Sequence, residues 1–143
     1  MKKIVTESAT QTKKLGLLLA QELRGGEVIC LDGDLGAGKT TFTQGLLKGL
    51  GAKGPYTSPT FLIMKEYKLQ PRKQNPTAVY HIDAYRIGAD DLLELGWKEI
   101  TNDQRNVIIV EWSDRIKKIL PEESLRIQFS WIDEKKRKLE FSH

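Results

Sequence analysis

Eight consecutive residues, Gly33, Asp34, Leu35, Gly36, Ala37, Gly38, Lys39 and Thr40, fit the pattern G-x-x-x-x-G-K-[ST] in full. With glycine near 7% of residues, chance places such a run in about one chain of this size in two hundred, so the run constrains the fold before anything else does. Just ahead of it Val28, Ile29, Cys30 and Leu31 form a short continuous apolar segment, as in a strand buried on both faces of a mainly parallel sheet. From Lys39 onward Phe42, Leu46, Leu47 and Leu50 recur at helical spacing, and Gly49 and Gly51 mark the end. Strand, glycine-rich turn and helix in that order aim backbone N–H groups and the positive helix end at an anion. In such a turn Lys39 reaches the β- and γ-phosphates of a nucleotide, and the Thr40 hydroxyl serves a magnesium ion that bridges phosphate oxygens.

The remaining pattern alternates strands and helices. Leu15, Leu18, Leu19 and Leu23 predict an amphipathic helix over 10–24, stopped by Gly25 and Gly26. Strands are expected over 61–67, 78–83 and 107–111, with a closing hairpin of 125–131 and 138–141. Short helices are expected over 90–95 and 114–120, the second closed by Pro121, and 69–77, with Pro71, Asn75 and Pro76, reads as a loop. This is an α/β architecture with a mixed sheet. At 143 residues and 39% hydrophobic content the chain is expected to form one domain, 1–143, around one core.

Several classes fall away. No stretch approaches the roughly 18 apolar residues of a membrane span, and the longest apolar segment, 15–20, contains Gly16. Residues 1–12 place Thr6, Glu7, Ser8 and Thr10 where a signal peptide needs an apolar run. Cys30 is the sole cysteine, so no internal disulfide is required and a cytoplasmic location is expected. The net charge of +4 permits a polyanionic partner without demanding one, and the basic run 135–138 reads as a solvated turn between two strands.

A phosphate turn of this kind holds magnesium with an acidic residue at the end of a neighbouring buried strand. Glu111, after the apolar run Val107 to Val110, and Asp83, ending the strand ahead of Tyr85 and Arg86, both qualify. His81 reads as a hydrogen-bonded packing residue rather than a ligand or base. Ser58, Pro59 and Thr60 suit either a switch segment near the γ-phosphate or an ordinary proline turn. Trp112 belongs either at the site or in the core. A small-molecule kinase would need an arginine-rich lid, whereas Arg86, Arg105 and Arg115 are scattered. A GTPase would need Asn-Lys-x-Asp and Asp-x-x-Gly segments, and neither occurs. A passive nucleotide-gated binding module stays open.

Four motifs in order, residues 33–41, Thr57-Ser58-Pro59-Thr60-Phe61, His81-Ile82-Asp83-Ala84-Tyr85-Arg86 and Glu111-Trp112, resemble the TsaE family, also called YjeE, over nearly the whole chain. The resemblance implies a P-loop NTPase-like three-layer fold with a mixed, mainly parallel sheet flanked by helices. It implies an ATPase needed for N6-threonylcarbamoyl modification of the adenosine next to the anticodon in tRNAs reading codons that begin with A. Such a protein acts with TsaB and with the transferase TsaD, its hydrolysis resets their complex between turnovers, and its contact with tRNA is indirect; the run 135–138 leaves direct contact as the alternative. The cofactors implied are ATP and Mg2+, the metal on Thr40 and Glu111, with Lys39, Asp83 and Glu111 in the catalytic centre. Nucleotide contacts are implied at Gly33, Leu35, Gly36, Ala37, Gly38, Lys39, Thr40 and Thr41, at Ser8, Ala9 and Thr10 beside adenine, and at Arg137.

Overall fold

The computed structural model describes residues 2–59, 62–69 and 74–143. Thr60, Phe61 and residues 70–73 of the expected loop lie outside them. Along the chain run β1 (Lys2–Thr6), α1 (Ala9–Ala20), β2 (Val28–Gly33), α2 (Lys39–Gly49), β3 (Met64–Lys68), β4 (Ala78–Asp83), α3 (Ala89–Glu94), α4 (Trp97–Thr101), β5 (Asn106–Glu111), a 3-10 helix (Ser113–Ile119), β6 (Leu125–Trp131) and β7 (Arg137–Ser142).

β2 is buried on both faces, as its unbroken apolar run requires, and it pairs in parallel with β5 on one side and β6 on the other. β4 adds to β5 in parallel, and β3 closes that edge antiparallel. On the other flank β7 returns antiparallel from β6, and β1 pairs antiparallel with β7. The sheet order is β1-β7-β6-β2-β5-β4-β3, with five of the seven strands pointing the same way. Alternation along each strand divides the interior into two layers. Ile29, Leu31, Val79, Val107, Ile109, Ile127 and Phe129 face α1 and α2. Val28, Cys30, Ile82, Ile108 and Val110 face α3, α4 and the 3-10 helix through Leu92, Trp97 and Ile116. Each such aliphatic, fully buried, contributes roughly 1.5–3 kcal/mol.

The two long helices touch backbone to backbone. A Cβ on Gly45 would lie 1.9 Å from the Lys13 carbonyl oxygen, and one on Gly16 would lie 2.3 Å from that of Phe42. The most buried face of α1 is therefore the small-residue stripe Thr12, Gly16 and Ala20; of the four leucines expected to pack, Leu23 is buried in the core just beyond the helix. Leu15 and Leu19 flank the stripe and Leu18 is 49% exposed. Ser8 starts α1 by accepting the Gln11 N–H, while Gln11 Oε1 accepts the Glu7 N–H, a reciprocal cap. The helix ends at Ala20, ahead of Gly25, because the Glu22 and Leu23 N–H groups take the tighter i–3 bonds to Leu19 and Ala20. β1 and α4 were not expected. The strand expected over 61–67 begins at Met64, after Leu62 and Ile63 turn back onto the Pro59 carbonyl. Among the described residues no helix is long and apolar enough to cross a membrane.

Gly45→Ala is expected to lower stability by roughly 1–3 kcal/mol, because backbone rather than a flexible side chain must yield; Leu18→Ala should stay within about 0.5 kcal/mol. Urea midpoints of the two variants compare them directly. Burial pushes the Cys30 thiol up to about 11, with no exposed surface left to the residue, so the folded protein should resist a thiol reagent at pH 8 and react only as it unfolds.

Candidate functional site

The turn between β2 and α2 is built from glycines where other residues would be strained. Gly36 and Gly38 hold φ of +79° and +102°, in the left-handed region that side chains disfavour. Gly38 caps α2 without a side-chain bond, and the first turn of that helix carries no acidic residue. Its leading N–H groups therefore face outward with the positive end of the helix behind them. Lys39 is 7% exposed and donates to the Gly33 carbonyl, lying folded along the turn.

Strand order then decides what flanks the turn. On one side β5 and β4 end in register, with Glu111 beside Leu31 of β2 and Asp83 beside Glu111. Residues paired in register share a face, so both carboxylates lie on the α2 side of the sheet. On the other side the β6–β7 hairpin brings up Glu134, Lys135 and Arg137. Arg137 donates through Nε to the Gly36 carbonyl and through Nη1 to the carbonyls of Asp133 and Lys136, and its guanidinium lies 5.9 Å from the Trp131 ring centre. The turn is thus gripped by a cation on one flank and faced by two carboxylates on the other.

These groups open into one cavity of about 270 Å³, just below the roughly 300–1,000 Å³ of most ligand pockets. Leu35, Gly36, Gly38, Lys39, Thr40, Thr41, Asp83, Glu111 and Arg137 line it, as do Ala9 and Ser58. Other candidates stand back from it. Ser8 is engaged in capping α1, and Thr10 is exposed outside the lining. Gly33 takes part through its carbonyl, and Ala37 is packed into the core. Thr12, Glu134 and Lys135 line the cavity without having been singled out as site residues. Thr12 is 1% exposed and shares a 2.6 Å hydrogen bond with Thr6, which fixes the start of α1 against β1.

Asp83 accepts the Tyr85 N–H at 2.9 Å through Oδ1. Glu111 Oε2 lies 2.8 Å from His81 Nε2, their side chains 13% and 4% exposed. The hydrogen-bonded role expected of His81 thus falls to a partner that is itself a site carboxylate. Thr40 offers a hydroxyl and the two acids offer hard carboxylate oxygens, while among the described residues no three His, Cys, Asp or Glu side chains form a metal cluster. That donor set fits magnesium, which takes one or two carboxylates and completes its shell with water and phosphate oxygens rather than an all-protein cage.

One further contact ties the two halves of the site together. Asp32, immediately before the turn, accepts the Ser113 N–H at 2.9 Å and the Ser113 hydroxyl at 2.6 Å. Between Glu111 and Ser113 the chain must bend at Trp112, which sits at φ +60°. Held there, Trp112 is 39% exposed, lines the cavity, has the Lys39 ammonium 5.1 Å from its ring centre and packs on Tyr85 at 4.9 Å. It belongs to the site rather than to the core.

Residues 6–139 match the family described as threonylcarbamoyl adenosine biosynthesis protein TsaE. A Bacillus subtilis (strain 168) protein named tRNA threonylcarbamoyladenosine biosynthesis protein TsaE is 39% identical over 137 residues, covering 96% of this chain and 82% of that protein. A protein of the same name from Aquifex aeolicus (strain VF5) is 38% identical over 141 residues, covering 97% and 94%. The crystal structure of YdiB from Bacillus subtilis superposes with a TM-score of 0.78 at 34% identity, covering 98% of this chain and 83% of that one.

Proposed function

The chain belongs to the TsaE family, and from that premise we propose that it is a magnesium-dependent ATPase serving N6-threonylcarbamoyl modification of the adenosine next to the anticodon, acting with TsaB and TsaD to reset the transferase complex. One observation carries the reading: the uncapped amino end of α2 and the Thr40 hydroxyl open into the same cavity as two in-register carboxylates, Asp83 and Glu111. Amides, a lysine and a hydroxyl on one wall suit a triphosphate; hard acids opposite suit the cation that accompanies it.

In this reading the N–H groups of Gly36, Gly38, Lys39 and Thr40 bind phosphate oxygens, and Lys39 leaves the Gly33 carbonyl for the β- and γ-phosphates. Thr40 and Glu111 hold magnesium, which when bound neutralises charge on the β- and γ-oxygens. Asp83, with Oδ1 fixed by the Tyr85 N–H, orients a water toward the γ-phosphate. Ala9 and Thr12 border the nucleotide at the start of α1, and Arg137 steadies the turn from the hairpin side.

Turnover by the isolated protein is expected to be slow. Arg137 is the sole arginine among the described residues lining the cavity, and its guanidinium is engaged with three backbone carbonyls. In P-loop enzymes an arginine supplied from outside raises turnover roughly 10³- to 10⁵-fold, and TsaB with TsaD is the partner the family reading names. ATP hydrolysis and complex formation should be measured together, with ATP, ADP and a non-hydrolysable analogue, in the presence and absence of TsaB and TsaD. Strong stimulation with nucleotide-dependent association supports the proposal; unstimulated turnover with association blind to nucleotide sinks it.

Two substitutions separate the roles. Lys39→Ala should cut hydrolysis by roughly 10²- to 10³-fold, the usual cost of losing one charge-stabilising donor, with the circular dichroism spectrum intact. Thr40→Ala should weaken magnesium-dependent nucleotide binding while sparing binding in EDTA. Equal losses in both conditions would remove Thr40 from the metal.

A further inference from the structure

We propose that His81 is a positioning residue for Glu111: it donates through Nε2 to Oε2, fixes the carboxylate's rotamer, and leaves Oε1 as the one oxygen presented to a cation. The inference deepens the ATPase reading and rests on it, since it takes Glu111 to face magnesium. Three features of the fold carry it.

The first is register. His81 pairs with Ile109 across the β4–β5 ladder, so Glu111 is the next residue on the same face, within reach of the imidazole on the diagonal. The contact is made, at 2.8 Å.

The second is burial. The two side chains are 4% and 13% exposed, so water does not compete freely for the bond and a broken one is costly. A long glutamate at a strand end otherwise has several rotamers open to it, and a metal ligand that must be ordered on each binding event loses affinity for that reason. Hydrogen-bonded partners of metal-binding side chains commonly serve to remove this cost.

The third is the far side of the ring. His81 Nδ1 is buried with no hydrogen-bond partner, the sole such side-chain atom among the described residues. Of the two imidazole tautomers, the one with its proton on Nε2 leaves only a bare lone pair unpaired at Nδ1; the other strands an N–H donor there and sets two acceptors face to face at Nε2 and Oε2. The orphaned atom thus gives the bond its direction, with His81 donating and the carboxylate accepting. Asp83, two residues on and on the same face, already has one oxygen committed to the Tyr85 N–H. Both site acids therefore enter the cavity with one oxygen tied down.

The test compares His81→Gln, His81→Asn and His81→Leu with the wild type. Glutamine can place an amide N–H near the position of Nε2, asparagine falls short of it, and leucine has no donor. Expected for Leu and Asn is a roughly 10- to 100-fold rise in the magnesium concentration that half-saturates the enhancement of ATP binding, with ATP affinity in EDTA unchanged; Gln should recover most of the loss. Long-range 1H–15N spectra of the metal-free wild-type protein should show the His81 proton on Nε2. A ring with its proton on Nδ1 and none on Nε2, a magnesium requirement unmoved in both Leu and Asn, or an equal loss of ATP affinity in EDTA would each overturn the positioning role. If the wild type itself binds ATP without regard to magnesium, the ATPase reading fails first and takes this inference with it. Should His81→Leu fail to fold, the Gln and Asn pair decides the matter, since both are polar and differ in reach.

Discussion

The site depends on the carboxyl end of β2 being held from three directions. Behind Gly33 the backbone of β6 comes so close that a Cβ would lie 2.3 Å from the Phe129 carbonyl oxygen. Beneath it Asp32 grips both polar groups of Ser113. Above it α2 is pressed against α1 at Gly45 and Gly16 with no side chain between the backbones. A turn rich in glycine is otherwise the most mobile part of a chain. Here its two ends are fixed by contacts that admit almost no adjustment, so its N–H groups keep their direction without a ligand to order them.

The same clamps determine where charge lies. Because β5 and β4 follow β2 on one side, their terminal carboxylates arrive together; because β6 and β7 lie on the other, the hairpin's cations arrive opposite. Within the hairpin, backbone bonds order the turn and one ion pair forms along the strand. The Lys135 and Lys136 N–H groups bind Asp133 and hold its carboxyl below the usual range, and Lys138 pairs with Glu140 at 3.1 Å. The basic run thus lies in a turn and a strand end, as its place between two strands suggested; Lys135 and Arg137 line the cavity, and Arg137 is bonded to the β2–α2 turn.

What could be read from the sequence was whatever is local and has a strong chemical reason. The turn was legible because few sequences meet its backbone demands, and Asp83 and Glu111 because each ends an apolar strand. β1 was not, since KKIVT is short, largely exposed and carries no clear alternation. The leucine spacing found most of the packing side of α1, since Leu15, Leu19 and Leu23 meet the core, but it gave no sign of the stripe Thr12, Gly16 and Ala20 that close helix packing selects. Contacts across the chain leave no local trace. Asp32 and Ser113 are 81 residues apart, and Arg137 reaches Gly36 across 101. His81 was legible as a hydrogen-bonded residue, but its partner depends on a strand register that only the folded sheet fixes.

The central claim is that one cavity receives a triphosphate at the amino end of α2 and its magnesium between Thr40 and Glu111. A crystal structure with magnesium and a non-hydrolysable ATP analogue tests it most directly. Expected are phosphate oxygens within hydrogen-bond distance of the N–H groups of Gly36, Gly38, Lys39 and Thr40, Lys39 Nζ moved from the Gly33 carbonyl to the phosphates, and magnesium bound by the Thr40 hydroxyl and a Glu111 oxygen. Phosphates seated elsewhere, or a metal that ignores Thr40 and Glu111, would contradict it.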